Sequence, residues 1–470
     1  MAIKINNIIR IPNAILTFCN NTQPIYTLVY FRIAFGLLMC ASVLRFMLKG
    51  WVYDLYIKPS FFFTYQGFDW IVPFSPTVMY AAFVLLAITS LFIALGLFYR
   101  ISSTLFFLLF TYIELIDKSN YLNHYYFISL IAFLMCWVPA NRYFSVDAYI
   151  KPYIKSNVVP NWTVGILKLQ IIIVYFFAGV AKLNYDWLIL AMPLKIWLPA
   201  KYDVPLLGQL LDSEWVAYAF SWAGMLFDIS IPFFLIINTT RLPAYMLVII
   251  FHTLTALLFP VIGMFPFIMI FAASIFLPSH MHKKVIVTLE NFFSFIFSQK
   301  SYVRTTVQKT YQPAPQYISI FFTLYFLVQI MLPFRYLLYK GPLFWTEEGY
   351  RFSWRVMLME KAGYITFSVS DSLTKHTVEI INSDFLTPQQ EKMMSTQPDM
   401  ILQFAHHLKN VYQKKNFYNP IVRAESYISI NGRGSQLYVN PNVNLASISE
   451  CTPRSKWLLP FEEKITNGKY

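Results

Sequence analysis

Long apolar runs recur along this chain at intervals too short for a soluble fold to absorb. A membrane-spanning helix needs about 20 mostly apolar residues. Nine stretches reach or approach that length: 25–44, 77–97, 103–115, 125–138, 164–183, 215–237, 243–260, 262–278 and 317–337. The third and fourth are short, and the turn Asp117-Lys118-Ser119-Asn120 between them reads as a tight helical hairpin. Composition agrees with spans rather than with a soluble core. Of 470 residues, 57% are hydrophobic and 13% charged, against about 45–50% and 25% in soluble domains. Aromatics at 19% predict interfacial belts and a pocket lined with rings.

The formal charge of +14 would point to nucleic acid in a soluble protein. Here the basic residues are spread over short loops without a dense tract, so anionic lipid headgroups account for them and nucleic acid is excluded as a partner. The four cysteines, Cys19, Cys40, Cys136 and Cys451, form no CxxC or Cys/His cluster. Neither a disulfide framework nor a metal site is expected. The first apolar run is too long for a cleavable signal peptide.

From about Gly341 polar residues return. Stretches 364–369 and 377–380 alternate like paired strands, 388–415 is helical in pattern, and 427–439 predicts a hairpin turning at Asn431-Gly432. The expected fold class is an all-α polytopic membrane domain of about nine transmembrane helices over 1–340, followed by a small α+β extracytoplasmic domain over 341–470. Stretch 285–297, apolar beside Lys283 and Lys284, predicts an interfacial helix. Twelve Lys/Arg between Lys4 and Lys309 fall on the N-terminal side of the membrane, and six between Arg45 and Lys201 on the other. The N-terminus is therefore expected to be cytoplasmic and the C-terminal domain outside. No internal repeat is present, so an inverted-repeat transporter gains no support.

Within this frame, Val174-Tyr-Phe-Phe-Ala-Gly-Val-Ala-Lys182-Leu-Asn-Tyr-Asp-Trp187 places one lysine at the end of an apolar run. Most lysines in that position extend the ammonium to the membrane surface. Desolvation, however, favours a neutral amine, which is a base or nucleophile, and intramembrane ionisable groups are functional candidates. His124 opens the fourth span at the same outer level. His252 and Asp228 fall nearer the middle of the seventh and sixth spans. The histidine is expected to bond another helix, and Asp228 to need a partner, with Arg32 or Lys168 the candidates.

Several strings, in order, resemble the vitamin K-dependent gamma-glutamyl carboxylase family, whose membrane part is also called the HTTM domain. They are Phe31-Arg32-x-x-Phe35-Gly36, Tyr99-Arg100-Ile101-Ser102, Asp117-Lys118 through Asn123-His124, and Asn141-x-Tyr143-x-Ser145-Val146-Asp147. The Lys182 stretch, Phe251-His252, Ile262-Gly263-Met264-Phe265, Gly349-Tyr350-x-Phe352-Ser353-Trp354, and Ser429-Ile430-Asn431 with Pro441 complete the set.

The resemblance implies a carbon–carbon lyase. Such an enzyme couples epoxidation of reduced vitamin K, or a menaquinol-like naphthoquinone, by O2 to carboxylation of glutamate in a peptide or protein with CO2. No metal is implied. The lysine matching Lys182 is taken in the family as the base that deprotonates the hydroquinone. The oxygenated quinone then removes a proton from the glutamate γ-carbon, and the carbanion attacks CO2. His124 matches a residue associated with the carbanion and proton-transfer steps, and Asn123 beside it is a candidate donor to an oxyanion. His252, Gly263, Met264 and Phe265 are candidate quinone-binding residues. Tyr350, Ser353 and Trp354 match a segment implicated in holding glutamate. A strong base and a carbanion require exclusion of water, which an aromatic-lined intramembrane pocket provides.

The chain also differs from the animal members. Two adjacent lysines stand there where this chain has Ala181-Lys182, and a histidine stands there at Met359. The chain stops at Tyr470 and carries no cysteine pair matching their inter-segment disulfide; a short, bacterial-type member is expected, and whether a propeptide guides the substrate is left open by the sequence. The alternative is a non-enzymatic HTTM membrane protein that binds a lipid or peptide.

Overall fold

The computed structural model describes residues 21–205, 207–296 and 316–463. Cys19, the loop cations Lys4, Arg10, Lys300, Arg304 and Lys309, and the ends of the expected interfacial helix and of the C-terminal domain lie outside the described residues. A short ladder, β1 (Thr22–Pro24) with β2 (Val158–Pro160), closes one face of a helical bundle. The bundle comprises α1 (Tyr26–Leu48), α2 (Pro76–Leu95), α3 (Tyr99–Ile116), α4 (Asn123–Met135), α5 (Asn161–Ala181), α6 (Glu214–Ile236), α7 (Arg241–Leu258), α8 (Phe265–Ala273), α9 (Ser279–Ile296) and α10 (Gln316–Met331).

Among the described residues seven helices are long and apolar enough to cross a membrane, eight if the bent pair around α8 and α9 counts as one. This is fewer than the nine expected, for two physical reasons. Helix α4 has only 13 residues, about 20 Å at 1.5 Å per residue. Protein covers both of its ends. The Asn123 amide donates to the Arg355 carbonyl (3.0 Å), and the Tyr99 hydroxyl donates to the Met135 carbonyl (2.7 Å). The expected eighth span breaks at 277–278, where Phe265–Phe276 and Ser279–Phe292 meet at 109°. Helix α9 then turns against the start of α1, its His282 sitting 3.1 Å from the Thr27 hydroxyl. The expected interfacial helix is this one, and it begins earlier, at Ser279.

Several of the sequence strings are explained by a latch on the face away from the C-terminal domain. Gly96 ends α2 in a left-handed conformation (φ 64°), and a Cβ there would overlap the Arg32 guanidinium. Arg32, fully buried, donates to the carbonyls of Ala140 (3.3 Å) and Phe144 (2.6 Å). Asp147 caps the start of α3, accepting from the Phe98 (2.8 Å) and Tyr99 (3.0 Å) amides and from Asn141 (2.7 Å). A carboxylate there also complements the helix dipole.

The C-terminal domain has a four-stranded sheet, β3 (Lys361–Ser370), β4 (Thr377–Ile380), β5 (Ile421–Ile430) and β6 (Gln436–Leu437), in the order β4-β3-β5-β6 with each neighbouring pair antiparallel. The β5–β6 hairpin turns where expected. Asn431 (φ 50°) and Gly432 (φ 74°) are both left-handed, and the Arg433 amide closes the turn on the Ile430 carbonyl (3.1 Å). Two helices, α11 (Pro388–Met394) and α12 (Pro398–Lys414), replace the single helical stretch expected; Ser395–Gln397 and Pro398 interrupt it. Phe404 of α12 packs edge-on to Phe367 of β3 at 5.1 Å.

The loop joining α1 to α2 belongs physically to this domain. Phe63 is fully buried in the domain's core, and the Gln390 and Gln403 amides hold the Phe61 (2.7 Å) and Thr64 (3.1 Å) carbonyls. The α3–α4 turn docks through Lys118–Asp399 (3.0 Å), and the loop after α5 through Asp186–Arg433 (2.6 Å). All three loops leave the bundle on the same face. Lys182 and His124 therefore share the domain side of the membrane part, as their positions in the sequence imply.

Candidate active site

Helices α5 and α6 approach closely at Gly179. A Cβ there would lie 2.6 Å from the Ile229 backbone nitrogen and 3.0 Å from the Asp228 carbonyl carbon, so only glycine permits this spacing. One turn later α5 ends. Asn184 manages the break, its side-chain amide donating to the Ala181 carbonyl (3.0 Å) while its oxygen accepts from the Trp187 amide (2.9 Å). Lys182 is the C-cap residue. Its ammonium does not extend toward the surface. It turns back along its own helix to the Ala178 carbonyl (3.2 Å) and to Asp228 Oδ2 (2.7 Å), beneath the Trp187 ring (5.4 Å).

Both side chains of this pair are about nine-tenths buried. The partners expected for Asp228 are engaged elsewhere: Arg32 in the latch and Lys168 over the Phe276 ring (5.4 Å). Sequence separation hid the true pairing, because only the crossing at Gly179 sets residues 46 apart side by side. Pro232 in α6 lacks the amide that would bond the Asp228 carbonyl, loosening the helix at this residue. Gly224 lies opposite Lys182 Cε and the Trp187 ring, where a Cβ would make ordinary contacts of 4.0 and 3.8 Å.

The pair opens on a cavity of about 350 Å³ whose walls include Val174, Phe220, Phe251 and Met269. His252 lines it; its Nε2 lies 2.9 Å from the Tyr175 hydroxyl of α5, as expected for a histidine bonding another helix, and its Nδ1 has no partner among the described residues. A second cavity of about 550 Å³ is lined by Asn123, His124, Val261 and Ile262. Trp197, Phe259, Phe265, Val356 and Met357 border both. Phe265 stands between the two histidines, 5.8 Å from the His252 ring and 5.9 Å from that of His124.

The other sequence candidates fall as follows. Gly263 and Met264 line neither cavity; Gly263 (φ 66°) turns the chain so that Met264 caps α8 and Phe265 begins it. Asn123 has one donor committed to the Arg355 carbonyl, and its oxygen accepts from the Tyr121 hydroxyl (3.0 Å). Ser353 lines a third cavity, of about 320 Å³, between the bundle and the C-terminal domain. Its hydroxyl donates to the Gly349 carbonyl (2.7 Å). Tyr350 packs near Phe344 (6.4 Å). Trp354 is buried and stacks on Tyr126 (4.9 Å), so it anchors the segment rather than lining a cavity.

Sequence reasoning missed Trp197, whose indole donates to Glu360 (2.5 Å) and so ties the wall between the cavities to the domain. It also missed Arg355. Three residues of this segment, Phe352, Trp354 and Met357, have φ between 53° and 59°, a strain of about 1–3 kcal/mol each that surrounding structure must hold.

The bundle, with its long apolar helices, is that of a multi-pass membrane protein. The HTTM domain family matches residues 20–280, and the lumenal domain of vitamin K-dependent gamma-carboxylase matches residues 314–464. The chain belongs to the vitamin K-dependent gamma-carboxylase family. The second match takes in the last span as well as the α+β domain. No solved structure matches the chain.

Proposed function

We propose that this protein is a quinol-dependent carboxylase of peptide glutamate, with Lys182 the base that deprotonates a reduced naphthoquinone. The observation that carries this reading is the Lys182–Asp228 pair on an apolar cavity (2.7 Å). The pair is neutral overall whether the proton sits on nitrogen or on oxygen. With the proton on Asp228, Lys182 is a free amine able to take a proton, which a lone ammonium is not. Desolvation alone favours the neutral amine, and the Asp228 carboxylate adds a proton acceptor beside it.

The first cavity suits a reduced naphthoquinone. Its walls are apolar and aromatic, and the Nδ1 of buried His252 is a hydrogen-bonding group without a partner among the described residues. Bound there, the quinol would supply, through its oxidation by O2, the driving force for abstracting a γ-proton from glutamate. Tyr175 holds the other His252 nitrogen, and Trp187 covers the ammonium. Phe265 separates this chamber from that of His124, which has no hydrogen bond among the described residues and is available for proton transfer near the carbanion. Ser353 belongs to the wall of the glutamate site, with Tyr350 packed behind it near Phe344 and Trp354 fixing that segment on Tyr126. The N-terminus is cytoplasmic and the α+β domain presents the peptide from the outer side.

The test is quinol-dependent O2 uptake by membranes containing the protein, followed by mass spectrometry of a co-expressed glutamate peptide for the CO2 adduct. Lys182→Ala is expected to abolish both. Uptake and adduct at wild-type levels in that variant would overturn the reading.

A further inference from the structure

The cavity between the bundle and the C-terminal domain is lined by one cation that has no carboxylate partner among the described residues. Its charged lining residues are Asp186, Arg433, Arg355 and Glu463. Arg433 is committed to Asp186 through two bonds of 2.6 and 2.8 Å. Glu463 is exposed at the mouth. Arg355 is nine-tenths buried, has no carboxylate within 4 Å among the described residues, and has an unpartnered Nε. Its guanidinium lies over the Tyr336 ring at 4.5 Å. Stacking on the ring and a hydrogen bond with the Tyr336 side chain hold the plane, and the Nε–H is left for a ligand.

A buried guanidinium without a counter-charge is costly unless an anion completes it. We propose that Arg355 binds the side-chain carboxylate of the substrate glutamate, by the planar fork that matches a carboxylate. This deepens the carboxylase reading and rests on it for the identity of the substrate. The surroundings favour a peptide group. Ile430, at the end of β5, and the neighbouring Phe344 and Phe461 give the cavity a wall from the C-terminal domain. The Arg355 carbonyl is held by Asn123, beside His124, and the next two residues, Val356 and Met357, border the two intramembrane chambers. A carboxylate seated on Arg355 therefore lies on the segment that adjoins the reaction chambers. The strained backbone of 352–357 is what points successive side chains into different cavities.

The experiment measures binding without turnover, so it reads Arg355 independently of any quinol chemistry at Lys182. The full chain in nanodiscs is titrated with a labelled pentapeptide carrying a central Glu, and with the same peptide carrying Gln. The wild-type protein is expected to prefer Glu by about 10- to 100-fold, the range for a charge-assisted hydrogen bond. Arg355→Gln is expected to lose that preference by weakening Glu binding alone, and Arg355→Lys to retain part of it. Lys also serves as the readout should the Gln variant fail to fold. A Glu preference that survives Arg355→Gln overturns the proposal. So does an Arg355-dependent preference for anionic over zwitterionic nanodiscs with no discrimination between the peptides, which would make this a headgroup site.

Discussion

Removing one member of the Lys182–Asp228 pair should damage the fold, and removing both should largely repair it while leaving the chemistry dead. In Lys182→Met the Asp228 carboxylate loses its only side-chain partner among the described residues, a contact of 2.7 Å with both groups about nine-tenths buried. Breaking such a pair costs about 3–5 kcal/mol, a large share of the 5–15 kcal/mol typical of a folded domain. Asp228→Leu should cost a similar amount, because it leaves an ammonium with the Ala178 carbonyl and the Trp187 ring as its contacts. The double variant replaces the pair by apolar groups of similar size and should lie close to wild type, since such replacements are often neutral. The cycle is measured by unfolding in detergent micelles. Quinol-dependent O2 uptake on the same samples separates stability from chemistry: it should be absent in both variants lacking Lys182. It should fall about 100- to 10,000-fold in Asp228→Asn, which keeps an acceptor for Lys182 but cannot take its proton. A double variant as unstable as the sum of the singles would show that the groups do not act as a pair. Full uptake in Asp228→Asn would refute the role given to the carboxylate.

Three further outcomes follow from the same geometry. Gly179→Ala should cost about 1–3 kcal/mol and depress O2 uptake, because its new Cβ meets α6 backbone 2.6 Å away and must part Lys182 from Asp228; unfolding and uptake assays check it. Phe265→Ala joins the two histidine chambers and should raise the quinol oxidised per CO2 fixed, measured as O2 uptake against labelled CO2 incorporation. Burial alone would raise the Asp399 carboxyl, but the Arg351, Lys118 and Arg454 charges outweigh it and hold the group well below the ordinary carboxylate range. The docking they stabilise is thus fully present above about pH 4 and is lost only as pH falls through the depressed value. Tryptophan fluorescence should stay unchanged from pH 7 to 5, and Asp399→Asn should weaken the docking already at pH 7, with no further loss through this position on acidification.

The hydropathy of the chain was enough to place most spans, because a helix in lipid must satisfy its backbone internally and advertises itself as an apolar run. It failed where protein, not lipid, surrounds the helix. Helix α4, with its ends held by Arg355 and Tyr99, needs no full-length apolar run, and the break after Phe276 follows from packing against α1. Strand alternation and the Asn431-Gly432 turn were equally legible, since period and left-handed φ are local properties. Arg32 and Asp147 stood out as sequence strings, and the structure shows them bonded in a latch rather than at a cavity.

Alone, then, the sequence determined a polytopic membrane protein, its α+β domain and a lysine set at the domain-facing end of an apolar helix. Tertiary structure decided what surrounds that lysine. Asp228 became its partner through the close crossing at Gly179, Phe265 became a partition between two histidines, and the Phe61–Phe63 loop became part of a domain almost 300 residues later in the chain. Local pattern reports only how each segment meets water or lipid. Which charges meet each other depends on helix crossings and loop docking, set by contacts between residues far apart in the chain, and neither period nor composition records these.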